Sequence, residues 1–189
     1  YFEYDSKKSG GVTISHLRFG PEMIRSPYFV NAADLTACHC FPYLEKYDML
    51  KAAKPGSVFL LASPYTAAEI WDHMPDEVEQ AIIDKKLKFY VINAAKIALE
   101  NGMGTRTNTV LQTAFFKLSG IKLAKADGTE LDPIQVLKDY AEKAYSKKGQ
   151  EVVEMNWKCI EAASAAIEKV DYPSAPAGKL KMPATVAAE

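Results

Sequence analysis

The sequence predicts an α/β layered fold, a mostly parallel or mixed sheet with flanking helices. Two continuous apolar runs of buried-strand length, Ser57 to Pro64 and Lys88 to Ala94, call for cover on both faces of a sheet. Helical patterns lie between and after them, so strand and helix alternate. With 189 residues, 48% hydrophobic and 25% charged, the chain can bury a full core.

The elements follow in order. Val12, Ile14, Leu17 and Phe19 alternate as a strand with one shift of face, between Gly10-Gly11 and Gly20-Pro21. Tyr28-Phe29-Val30 is a candidate partner for it, and Leu35 to Cys38 a third, short strand. Helical patterns are predicted over Pro42 to Ala53, over Asp76 to Lys85 and over Ala95 to Asn101, the last ended by Asn-Gly. From Thr107 the chain turns helical, with Thr107 or Asn108 as cap and Leu111, Ala114, Phe115 and Leu118 on one face. After a turn at Asp127-Gly128, Ile134, Leu137, Ala141 and Ala144 form a second stripe; beyond Gly149, Val153, Trp157, Ile160 and Ile167 form a third. Trp71 is expected in the core, the alternative being a contact on a partner surface. From Asp171 three prolines and many small residues read as an extended linker. The expected organisation is one domain over residues 1–170 and, over 171–189, a linker to a following domain.

A formal net charge of −1 gives no global field for nucleic acid or an acidic membrane, so any anion site must be local. No apolar run approaches the ~18 residues of a membrane span. Cys38, Cys40 and Cys159 have no CxxC spacing and suggest reduced thiols in a cytoplasmic setting. The start, Tyr1-Phe2-Glu3-Tyr4, reads as the middle of a longer polypeptide.

Two loops have the equipment to hold an anion. Ser6 to Gly11 (SKKSGG) offers two ammonium groups, two hydroxyls and glycines that free backbone N–H groups to face a ligand; the plain alternative is an exposed hairpin turn. Glu100 to Thr109 (ENGMGTRTNT) carries Arg106 onto a helix N-terminus, where free N–H groups and the macrodipole favour negative charge. There Arg106 could grip a phosphate bidentately while Thr107 and Asn108 donate neutral hydrogen bonds; the alternative is a simple connector with Gly102 ending one helix. Cys38-His39-Cys40 invites a metal reading, but neighbours on a strand point to opposite faces and no second ligand cluster accompanies them, so buried thiols are expected and no metal. His16 and His73 lack a sequence-level triad partner, with Asp34 and Asp72 the available carboxylates, and no catalytic set emerges.

Four strings, YDSKKSGGVTISHLRFGP, ACHCFPYLEKYDMLKAAKPGSVFLL, KFYVINAAKIALENGMGTRTNTVLQTAFFKLSG and YSKKGQEVVEMNWKCIEAA, stand in an order that resembles the central gamma-type domain of pyruvate:ferredoxin (flavodoxin) oxidoreductases, from Tyr4 to about Ala163. The resemblance implies a Rossmann-like layered sandwich, here N-terminally truncated and without its first strand. It implies a parent enzyme that decarboxylates pyruvate oxidatively with thiamine diphosphate, passes electrons through iron-sulfur clusters to ferredoxin or flavodoxin, and releases acetyl-CoA. Thiamine diphosphate and clusters would lie in other domains or subunits of the same oxidoreductase, itself expected to be a homo-oligomer, and none would bind this chain alone. CoA, as co-substrate, would meet Ser6, Lys7, Arg106 and Asn108. Two alternatives stand beside this: a non-catalytic scaffold for docking domains or protomers, and the same domain in an oxidoreductase for another 2-oxoacid.

Overall fold

The computed structural model describes residues 2–4, 12–20, 23–25, 29–125 and 127–183. Along the chain run β1 (Phe2–Tyr4), β2 (Thr13–Ser15), β3 (Ala33–Cys38), β4 (Ala53–Ala62), α1 (Asp76–Asp84), β5 (Lys88–Ile92), α2 (Ala94–Glu100) and α3 (Asn108–Leu118). The small hairpin β6 (Leu123–Ala124) and β7 (Glu130–Leu131) follows, then α4 (Pro133–Tyr145), α5 (Gln150–Ala165) and β8 (Glu168–Lys169). The main sheet has the order β3-β4-β5-β8; β3, β4 and β5 are parallel and β8 is antiparallel to β5. The α/β class and the mixed sheet are thus as the sequence predicts.

Alternation along β4 and β5 sends their apolar side chains to both faces. Phe59, Leu61, Phe89 and Val91 enter one core with Leu44, Ile70, Met74 and, from α1, Val78 and Ile82. Phe59 and Phe89 are register partners, both fully buried, and their rings stack at 5.2 Å and 13°. Leu60 and Ile92 enter the other core, with Ala94, Ile97 and Ala98 of α2, Val110, Leu111 and Ala114 of α3, and Cys159 and Ala163 of α5. A third, smaller cluster joins α4 to α5 through Leu137, Ala141 and Ile160.

Several elements differ from their predicted form. Residues 42–53 are not an α-helix: Phe41–Glu45 is one turn of 3-10 helix that leads through turns directly into β4. Leu44 and Leu50 of that stretch, and Ala53 at its end, are buried, with Tyr43 and Met49 half-buried against the same core, and these contacts are made from a 3-10 turn and the turns after it rather than from one helical stripe. The first strand shortens to Thr13–Ser15 and pairs with β1, in the register Phe2↔Ser15, Glu3↔Ile14, Tyr4↔Thr13. Phe29 and Val30 do approach it, but through side chains: Val30 N–H donates to His16 Nδ1 (3.0 Å) and Arg18 Nη2 to Phe29 O (2.8 Å). On α4, Ala144 is exposed and Tyr145 takes its place against the third cluster.

Beyond β8 the described residues, 170–183, form neither helix nor ladder, yet they are held. Val170 is buried, Tyr172 stacks on Trp71 (5.4 Å, 9°), and Tyr172, Ala177 and Met182 pack against the α1-side core. Trp71 belongs to that core.

Candidate functional site

The Arg106 loop is shaped by the end of α2. Met103 N–H donates to Ala98 O (2.8 Å) and Gly102 N–H to Leu99 O (3.2 Å), the double closure of a left-handed helix end, with Gly102 at φ 75°. A Cβ at Gly102 would stand 2.9 Å from Met155 Sδ of α5, so glycine is needed there for space as well as for φ. Met103, only 4% exposed, plugs the loop into the core beneath it.

Arg106 lies exposed on this base. Its backbone N–H and its Nε both donate to Met103 O (3.2 Å each), which lays the side chain along the loop. The Nη edge of the guanidinium retains the fork geometry that suits phosphate. Two residues on, α3 begins at Asn108, with Thr107 at the cap position in an αR conformation that makes no side-chain capping bond. The first turn of α3 contains no acid, and among the described residues no carboxylate pairs with Arg106. An arginine therefore stands beside an uncapped, positive helix end, a field that favours an anion.

Asn156 of α5 is the residue that the sequence reading missed. It is 1% exposed, accepts from Thr109 Oγ1 (3.3 Å) and donates from Nδ2 to Val152 O (2.8 Å). With Met155 against Gly102, consecutive residues of α5 pin the loop at both ends. The signal was present as a polar residue on the buried face marked by Val153 and Ile160.

Ser6 and Lys7 lie outside the described residues; Arg106 and Asn108 are described, two positions apart at the start of α3. Cys38 Sγ donates to Cys40 O (3.2 Å), and burial pushes the Cys38 thiol up to about 11. Cys38 belongs to the α1-side core and Cys159 to the opposite one, so they cannot share a cluster. Among the described residues no three of His, Cys, Asp and Glu converge as metal ligands. His73 stacks on Tyr65 (3.7 Å, 4°), while Asp34 and Asp72 are engaged by Lys54 and Lys179, both at 2.7 Å, and no triad forms from them.

Residues 1–166 match the family model for pyruvate ferredoxin/flavodoxin oxidoreductase. The chain belongs to that family. It is 49% identical over 173 residues to a putative pyruvate-flavodoxin oxidoreductase of Synechocystis, covering 92% of this chain and 14% of that one. It is 46% identical over 174 residues to the pyruvate:ferredoxin oxidoreductase of Moorella thermoacetica, again 92% of this chain and 14% of the relative. The chain thus spans about one seventh of the length of these relatives. The crystal structure of the pyruvate oxidoreductase subunit PORC from Thermotoga maritima shares the fold, with a TM-score of 0.55 and 16% identity over 75% of this chain and 67% of that one.

Proposed function

We propose that this chain is the CoA-receiving domain of a pyruvate:ferredoxin or pyruvate:flavodoxin oxidoreductase of the cytoplasm. The parent enzyme decarboxylates pyruvate oxidatively and yields acetyl-CoA and CO2, with thiamine diphosphate and iron-sulfur clusters held by its other domains and electrons leaving to ferredoxin or flavodoxin. The observation that supports a CoA role is Arg106 beside the uncapped N-terminus of α3. Diphosphate oxygens placed there would take two guanidinium N–H groups and the first-turn amides, with Asn108 as neutral donor. Ser6 and Lys7, on the β1–β2 connection, are the proposed second cation and donor pair.

Arg106→Ala in the full-length enzyme tests this reading. Arg106 is exposed and makes no ion pair among the described residues, so the fold should survive, and loss of the charge-assisted grip should raise the KM for CoA about tenfold with pyruvate KM unchanged. An unaltered CoA response would overturn it.

A second reading, an assembly platform, has its own observation. Ile14, Leu17, Phe19, Met23, Ile24 and Phe29 are large apolar side chains between 42% and 79% exposed within one short segment. On that reading this segment docks the rest of the polypeptide, and charging it with Leu17→Glu would break assembly while Arg106→Ala left turnover alone.

A further inference from the structure

Segment 171–183 crosses α1 on the sheet face opposite the Arg106 loop. Five polar contacts hold it: Tyr172 Oη donates to Leu87 O (2.8 Å), Ala177 N–H to Glu79 Oε2 (2.6 Å) and Met182 N–H to Glu77 Oε2 (2.9 Å). Asp76 N–H donates to Leu180 O (2.8 Å), and Lys179 pairs with Asp72 (2.7 Å). Acids at the start of a helix commonly serve its own N–H groups. Here Glu77 and Glu79 instead accept from the backbone of a segment about a hundred residues away.

The underside of this contact is poorly satisfied. Glu79 is fully buried, and its Oε1, together with Asp76 Oδ1 and Trp71 Nε1, has no hydrogen-bond partner among the described residues. Lifting the segment would hydrate Glu79 and uncover Trp71, which now stacks on Tyr172. Gains in apolar packing from Tyr172, Ala177 and Met182 are thus set against buried polar groups that water would satisfy better.

We propose that residues 171–183 form a detachable strap, clasped over α1 when the Glu79 carboxyl is protonated and loosened when it ionises. The groups around that carboxyl are Asp76 on α1 and Asp72 on the preceding turn, both of which oppose its ionisation, and Lys179 and the Ala177 N–H on the strap, which favour it. Burial outweighs the rest and pushes Glu79 up to about 7 from an ordinary 4.5. The pKa is higher in the clasped state than in the released one, so the clasp is fully stable below the released value and weakens as pH rises toward and through about 7. The strap itself lies beyond residue 166, outside the segment that matches the family model, whereas the groups that clasp it, from Trp71 to Glu79, lie within that segment.

Amide hydrogen exchange in the full-length protein tests this. After correction for intrinsic base catalysis, protection of residues 171–183 should fall about 30-fold between pH 5.5 and 8.5, while that of α3 and α5 stays constant. In Glu79→Gln, which keeps the acceptor for Ala177 but cannot ionise, strap protection should no longer vary with pH. Should Glu79→Gln fail to fold, Asp76→Asn serves instead: removing a neighbouring negative charge should move the midpoint to lower pH. A strap whose protection does not change with pH in the wild type, or changes equally in Glu79→Gln, would overturn the proposal.

Discussion

Replacing Asn156 with alanine tests whether α5 holds the Arg106 loop. The change removes the bond from Thr109 Oγ1 (3.3 Å) and the Nδ2 bond to Val152 O (2.8 Å), and it empties space at a position only 1% exposed. A neutral hydrogen bond contributes about 1 kcal/mol and a small cavity costs about as much again, so the expected destabilisation is about 2 kcal/mol. For a domain of this size that is about 4–8 °C in Tm. Urea and thermal unfolding of Asn156→Ala, Thr109→Val and the double variant close the cycle. The coupling should be about 0.5–1 kcal/mol, because Thr109→Val has nothing left to remove once Asn156 is gone. A loss below about 0.5 kcal/mol, or strictly additive variants, would mean that Asn156 fills space without bonding the first turn of α3, and the pinning argument would fall.

Phe59→Ala should be far more damaging: the ring is fully buried and stacked on Phe89, and its loss should cost about 3–5 kcal/mol in urea unfolding, with Phe59→Leu much milder. Thiol labelling at pH 7.5 should modify Cys40 first, since Cys38 and Cys159 are buried and burial pushes both thiols up; in Cys40→Ser, fast native-state labelling should vanish, and its persistence would contradict the two-core placement of Cys38 and Cys159.

What the sequence made legible was whatever a local pattern controls. β4 and β5 follow from apolar runs that no exposed element could tolerate, and α2 ends where Asn101-Gly102 demands. The Arg106 turn was readable because its residue types and the following helix are contiguous. Misreadings came where tertiary packing decides: Phe41–Glu45 has helical spacing but feeds β4 after one short turn, and Ala144 yields its place to the larger Tyr145. Asn156 and Glu79 stayed hidden for a related reason, since each meets a partner 47 or 98 residues away that no local periodicity announces.

The two-faced sheet also decides how far a disturbance can travel. Leu60 lies in the core beneath the Arg106 loop, whereas its neighbours Phe59 and Leu61 lie in the core beneath the strap. A local repacking around Leu60 ends at the backbone of β4, because the ladder to β3 on one side and β5 on the other fixes the strand's position. For an anion held at Arg106 to alter the strap, β4 would have to move as a unit, carrying the Phe59–Phe89 stack with it. Close-packed cores resist such shifts, so the loop and the strap are expected to act as separate devices on one scaffold, each answering to its own chemistry.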